Sequence, residues 1–133
     1  MRKLISLILV LSLILTLCSC GKYVSSYQAI GLVRNQTSHS CNASFHSLNG
    51  QLVFKLKRSE KGTEGNISYL VQVEKGEICL SYDIYGTKEE LTRVKEGESV
   101  EDRGGYVEGG FTVYIIIEAE KNSKGKISVE LDN

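Results

Sequence analysis

The sequence of 133 residues predicts an all-β protein, built as a two-sheet antiparallel β-sandwich of jelly-roll type. From Phe45 onward, apolar and polar residues alternate in short runs, as in strands with one buried face. Thirteen glycines and no proline supply the turns between these runs. No segment keeps the 3.6-residue period of an amphipathic helix. About seven short strands, spaced by about ten residues, favour two packed sheets over one.

The first 19 residues have the pattern of a cleaved export signal. Two basic residues precede an apolar run over residues 4–17. This run is shorter than the roughly 20 residues that a membrane-spanning helix needs. It ends in Leu17-Cys18-Ser19-Cys20, which looks like a bacterial lipobox, whose cysteine is acylated and becomes the first residue of the mature protein. We therefore predict a lipoprotein signal peptide over residues 1–19 and lipidation of Cys20, with palmitate-type chains anchoring the protein on the extracytoplasmic face of the bacterial cell membrane.

The mature chain has the length of a single domain. The signal contains two of the 16 basic residues and none of the 16 acidic ones, which leaves a mature net charge of −2 with the histidines neutral. Such a chain lacks the basic surplus that attracts nucleic acid or an anionic lipid surface. We therefore expect membrane attachment through the lipid alone and no nucleic-acid partner.

Residues 20–44 are mostly polar and predict a tether between the lipid and the domain. Their one apolar patch, residues 29–33, also suits a first edge strand. The regular alternation begins after this segment, so we place the β-sandwich domain at residues 45–133.

The middle of the chain predicts three strands. Residues 51–57, 67–73 and 78–84 each alternate apolar and polar side chains. Asn49-Gly50 precedes the first run, and Glu74-Lys75-Gly76 separates the other two. Turn residues between two alternating runs are typical of a β-hairpin, so we predict that the last two runs form one.

Residues 86–110 are charged and rich in glycine, and they predict an exposed loop in which Leu91 and Val94 are weak strand anchors. The acidic residues of this segment occur in close pairs, such as Glu89 with Glu90. Neighbouring carboxylates on a solvated loop do not set the separation that a general acid and base need, and the spacing of a calcium loop is absent. We therefore predict no catalytic residue, no metal and no cofactor here.

Residues 111–119 predict the central strand. Four apolar side chains share one face, namely Phe111, Val113, Ile115 and Ile117. Tyr114 and Ile116 make the other face partly apolar, which is typical of a strand covered on both sides. We expect Ile115 and Ile117 to lie in the core between the two sheets. Residues 127–131 alternate again after the turn-like residues 121–125, which predicts a closing hairpin.

Two cysteines remain in the mature chain besides Cys20. Cys41 and Cys79 would both face an oxidising exterior, where a disulfide between them would close a long loop and stabilise the fold. Two separate, small, buried thiols fit the sequence equally well. The sequence leaves both alternatives open.

His39 and His46 are the residues on which an alternative function, in hydrolysis or metal handling, would depend. Together with Cys41 and Cys79 they form a nominal ligand set for zinc or copper. Their spacing matches no established ligand pattern, and the serines and asparagines around them suit a solvated segment. A small exported hydrolase or metal-handling protein that uses His39 and His46 is therefore the alternative hypothesis, and it requires the two side chains to converge in a pocket.

Three segments resemble known proteins: FHSLNG at residues 45–50, VEKGEICLSY at residues 73–82 and GGFTVYIIIEAEKNSKGKISVEL at residues 109–131. Their order is similar to that in small, uncharacterised β-sandwich lipoproteins of low-GC Gram-positive bacteria. A looser likeness exists to the GOLD domain and to bacterial pre-peptidase C-terminal domains, where a glycine precedes an aromatic-rich strand and a closing hairpin. Those families bind or tether rather than catalyse, so the resemblance implies a binding module.

Exposed tyrosines mark the binding surface that the sequence predicts. Tyr85 and Tyr106 fall at the ends of predicted strands, and Lys88 and Arg93 lie in the charged segment between them. Tyrosine at such positions stacks on a sugar or packs against a partner protein, and packing against a neighbouring strand is the alternative that the sequence leaves open. Our first hypothesis is a lipid-anchored binding or structural module, without enzymatic activity, that uses these four residues to bind a surface protein or a glycan.

Overall fold

The structure, a computed structural model, describes residues 23–59 and 61–132. These residues form seven strands and no helix, and every strand pairs antiparallel with its neighbours. The predicted all-β, antiparallel fold class is therefore confirmed. The strands are β1 (Ser26–Ile30), β2 (Val33–Gln36), β3 (Ser40–Lys57), β4 (Glu64–Asp83), β5 (Glu89–Lys95), β6 (Ser99–Glu108) and β7 (Thr112–Leu131).

Three long strands, β3, β7 and β4, bend midway, so that one hydrogen-bonded sheet folds over into two layers. Sheet I has the strand order β2-β3-β7-β4-β6 and contains residues 40–45, 125–131 and 67–73 of the long strands. Sheet II has the order β1-β3-β7-β4-β5 and contains residues 48–57, 112–119 and 77–83. The protein is thus a β-sandwich whose two sheets share their three central strands.

The bends lie where the sequence suggests turns. In β4 the pairing register shifts between Val73 and Glu77, and Gly76 has a φ of 85°. In β7, Lys121 and Asn122 have φ values of 59° and 53°. Such left-handed residues create a bulge that redirects the strand without reversing it. The two predicted hairpins are therefore wrong, because the residues on both sides of each supposed turn belong to one continuous strand.

The bulges also keep one face of each long strand inside the sandwich. In β4 the inward-facing side chains occupy odd positions up to Val73 and even positions from Ile78 onward, because the bulge shifts the alternation by one residue. Both sheets contribute to a single hydrophobic core. Ile115 and Ile117 lie in this core with 0% and 1% exposure, which confirms their predicted position.

The sandwich begins earlier in the chain than residue 45. Strands β1 and β2 pair with the two halves of β3, and β3 itself starts at Ser40. Residues 26–44 therefore supply an edge strand to each sheet rather than a tether, because their backbone groups hydrogen-bond with β3. The predicted signal peptide, residues 1–19, and Cys20 lie outside the described residues. Within the part of the chain that the structure describes, no helix is long and apolar enough to cross a membrane.

Residues 86–110 are more regular than the sequence suggests. They contain β5 and β6, which pair with the two halves of β4 as further edge strands. Val94 and Val107 are completely buried and attach these strands to the core. The predicted loop is therefore wrong over most of its length, because charged outward-facing residues conceal a short apolar face.

Candidate functional site

Three exposed aromatic side chains meet at one end of the sandwich. Tyr85 follows β4, Tyr106 lies in β6, and Phe111 precedes β7. Their exposed fractions are 57%, 40% and 44%. The ring of Tyr85 lies 5.4 Å from that of Phe111 in an edge-to-face arrangement and 6.4 Å from that of Tyr106. We refer to Tyr85, Tyr106 and Phe111 as the aromatic cluster.

The backbone around the aromatic cluster is held by hydrogen bonds to ordered strands. The backbone N–H of Tyr106 donates to the hydroxyl of buried Tyr82, at 3.1 Å, and that hydroxyl donates to Glu89 at 2.6 Å. On the other side, the backbone N–H of Gly109 donates to the carbonyl of Thr63 at 2.8 Å. The cluster therefore sits on a fixed support rather than on a free loop.

Two carboxylates border the aromatic cluster. The hydroxyl of Tyr85 donates to Glu108 at 2.6 Å, and this hydrogen bond raises the pKa of Tyr85. Partial desolvation and the negative charge of Glu64 raise the pKa of Tyr106. Both tyrosines are therefore neutral at physiological pH. The site offers aromatic faces, hydroxyl groups and carboxylate acceptors within one small surface.

The structure divides the predicted binding surface into two parts. Tyr85 and Tyr106 come together, whereas Lys88, just before β5, and Arg93, within β5, have acidic partners on sheet II. Lys88 forms an ion pair with Glu118. Arg93 donates to Glu90 at 3.1 Å. Phe111 joins the tyrosines instead. The sequence suggested that it faces the core, but it precedes the first residue of β7 and is exposed.

The N-terminal residues 23–25 lie against the outer face of sheet II. The hydroxyl of Tyr23 donates to Asp83 at 2.6 Å, and its ring lies 5.3 Å from that of Tyr114. The hydroxyl of Ser25 accepts a hydrogen bond from the backbone N–H of Val53 at 2.9 Å. Burial, followed by the hydrogen bond to Asp83, raises the pKa of Tyr23 to about 12. These contacts were not predicted, because a lone tyrosine in a polar segment resembles a tether residue.

Cys41 and Cys79 are two separate buried thiols, which is the second of the alternatives that the sequence allows. Cys41 belongs to the core side of sheet I, and Cys79 lies on the outer face of sheet II, where its thiol donates to Glu90 at 3.0 Å. Burial raises the pKa of Cys41 to about 12 and, with the hydrogen bond to Glu90, that of Cys79 to about 11. Both thiols are therefore protonated and unreactive at neutral pH.

The histidines do not converge. His39 precedes β3, and its carbonyl accepts a hydrogen bond from Leu131 at one end of sheet I. His46 lies seven residues later along the same strand direction, which separates the two by about 20 Å, and it lines a shallow cavity of about 370 Å³ with Glu74 and Lys124. Residues 23–59 and 61–132 contain no group of three or more histidine, cysteine or acidic side chains that is placed to hold a metal ion. The geometry that the alternative hypothesis requires is therefore not formed.

No family model and no curated protein matches the chain. Among solved structures, the chain is similar to a mutant carbohydrate-binding module of family 29 in complex with mannohexaose, at 14% identity and a TM-score of 0.43, over 80% of this chain and 78% of that one. It is also similar to the module TmCBM61 in complex with β-1,4-galactotriose, at 13% identity and a TM-score of 0.41, over 84% and 83% of the two chains.

Proposed function

We propose that this protein is a lipid-anchored, extracytoplasmic module that binds glycans through the aromatic cluster and does not catalyse a reaction. One observation carries the proposal: Tyr85, Tyr106 and Phe111 are exposed, adjacent and held by ordered strands, although exposure of large apolar side chains is costly in water. A contiguous group of exposed aromatic side chains marks an interaction site.

The chemistry around the cluster favours a sugar over a protein partner. A sugar ring presents an apolar C–H face, which packs on an aromatic ring, and hydroxyl groups, which donate to carboxylates. The cluster has both kinds of partner, because Glu108 and Glu64 border the two tyrosines. A stable protein interface needs about 800 Å² per partner with an apolar centre, whereas here carboxylates stand directly beside two of the three rings.

The positions of the histidines support binding rather than hydrolysis. Acid–base catalysis needs titratable groups within hydrogen-bond reach of one substrate, and His39 and His46 lie at separate places on sheet I.

Substitution of the cluster tests the proposed binding. An array of bacterial cell-surface oligosaccharides identifies the probe, and calorimetry with the best-binding oligosaccharide measures affinity. Tyr85→Ala and Phe111→Ala should each weaken binding by about fivefold, because each removes an aromatic face worth about 1 kcal/mol. Tyr27→Ala is the matched control, since Tyr27 is exposed on β1, at the opposite edge of sheet II from β5. Absence of any bound oligosaccharide would contradict glycan binding, and equal affinity of all three variants would contradict the aromatic cluster as the binding site.

Acylation of Cys20 requires its own test. The proposal rests on the charged and apolar signal followed by Leu17-Cys18-Ser19-Cys20. Mass spectrometry of the membrane fraction should find a mature chain that starts at Cys20 and carries acyl chains, and Cys20→Ala should leave an uncleaved precursor without lipid. A mature chain that starts at another residue would refute the lipid anchor but leave the glycan site intact.

A further inference from the structure

The first described residues are attached to the sandwich rather than extended away from it. Tyr23 makes two contacts of different kinds, a hydrogen bond to buried Asp83 and a ring contact with Tyr114. The hydrogen bond between Ser25 and Val53 holds the following backbone on sheet II, and β1 begins at the next residue, Ser26. We call the contact of Tyr23 with Asp83 and Tyr114 the Tyr23 clamp.

The clamp leaves a very short connection to the proposed lipid. Cys20 is three residues before Tyr23, and three residues span at most about 10 Å even when fully extended. Without the clamp, the chain is next held at Ser25 and β1, so the connection from Cys20 would lengthen to five residues, or about 17 Å. The clamp therefore shortens the connection and fixes the place on sheet II where it leaves the domain.

The clamp and the aromatic cluster lie at the same end of sheet II. Asp83 ends β4 only two residues before Tyr85, and Tyr114 is three residues after Phe111. The connection from Cys20 to Tyr23, the contact of Tyr23 with Asp83 and the two residues from Asp83 to Tyr85 together span at most about 25 Å. The aromatic cluster therefore lies within that distance of Cys20. The opposite end of sheet II, at Glu77 and Lys95, lies about 20 Å farther along the strands.

We infer that the Tyr23 clamp orients the module with its aromatic cluster toward the bilayer, and that the ligand is a glycan carried on the headgroup of a membrane lipid. This inference rests on the proposed lipid anchor and on glycan binding by the cluster. A short connection gives a ligand in the same membrane a high effective concentration at the site, whereas a glycan remote from the membrane gains nothing from it. The clamp thus favours glycans that are attached to the same membrane over chemically identical glycans in solution.

Energy transfer to a lipid-borne acceptor tests the orientation. The acylated full mature chain is placed in vesicles, with a fluorophore on Lys57→Cys near the clamp or on Lys75→Cys at the opposite end of sheet II. Both lysines are exposed, and the buried thiols with raised pKa values leave the introduced cysteine as the reactive one. Transfer should be stronger from position 57, and Tyr23→Ala should reduce the difference. Tyr27→Ala should preserve it.

A second measurement tests the source of the glycan. An environment-sensitive fluorophore on Lys61→Cys, beside the cluster, reports binding of a dihexosyl diacylglycerol in the same vesicle or of the free dihexoside in solution. Tyr23→Ala should raise the glycolipid content needed for half-saturation by about twofold, because the connection lengthens from three to five residues, and should leave the response to the free sugar unchanged. Equal transfer from positions 57 and 75, or an unchanged glycolipid response in Tyr23→Ala, overturns the inference alone. No response to either sugar overturns both this inference and glycan binding.

Discussion

Ile115→Ala should lower the free energy of unfolding by about 2 to 5 kcal/mol, the range for a buried isoleucine that is changed to alanine. Ile115 is completely buried in the middle of β7. Its direct neighbours in the sheet are Phe54 of β3 and Tyr82 of β4, which are both core residues. Two large, ordered neighbours cannot collapse into the space that the substitution leaves, so the cavity persists. Urea unfolding, followed by circular dichroism, measures the change.

Thr112→Ala is the matched control for this substitution. Thr112 is the exposed first residue of the same strand, so its truncation should change stability by less than about 0.5 kcal/mol. If both variants unfold at the same urea concentration as the parent, β7 is not the central strand of the sandwich.

Most of the strand faces follow from the sequence because alternation has a direct physical cause. A side chain every second residue points to the same face, and the apolar side chains at 113, 115 and 117 therefore had to share the core. The same rule fails at β5 and β6. There a short apolar face, chiefly Val94 and Val107, stands among charged and glycine residues, and two inward positions are too few to produce a period.

The bends could not be predicted because hairpin turns and bulges need the same residues. Glycine or asparagine with a positive φ can reverse a strand or redirect it. Gly76 and Asn122 redirect their strands without reversing them. The reason is that β4 and β7 bend at the same level and remain paired before and after the bend. The choice is made by long-range pairing between β4 and β7, which local sequence does not contain.

The candidate site was predicted in part for a related reason. Tyr85 and Tyr106 stand next to glycine at strand ends, which marks them as exposed. Phe111 continues the alternating pattern of β7 in the sequence, but it lies outside the strand, which begins at Thr112. Tyr23 has no local signal at all, because its partners Asp83 and Tyr114 are 60 or more residues away in the chain.

The bend in β7 provides the second large effect. Gly125→Ala should destabilise the fold by about 3 kcal/mol or more, because the added Cβ would overlap the backbone carbonyl oxygen of Gln72 in β4. Gly125 pairs with Phe45 on one side and Val73 on the other, so the strands cannot move apart there without breaking the pairing that begins sheet I. Loss of cooperative unfolding or of soluble protein would be the expected result of this single methyl group.

Gly104→Ala is the matched control for Gly125→Ala, because it tests whether any glycine changed to alanine in a strand destabilises the fold. Gly104 lies in edge strand β6, where an added Cβ would meet the side chains of Leu91 and Tyr69 at 3.6 Å and 3.9 Å, which are ordinary contacts. This variant should therefore be as stable as the parent or slightly more stable, because alanine restricts the unfolded chain. Thermal unfolding measures the melting temperatures of both glycine variants and of the parent. Equal melting temperatures for Gly125→Ala and the parent would mean that β4 and β7 do not approach closely at Gln72, and the bend that joins the two sheets would have to be different.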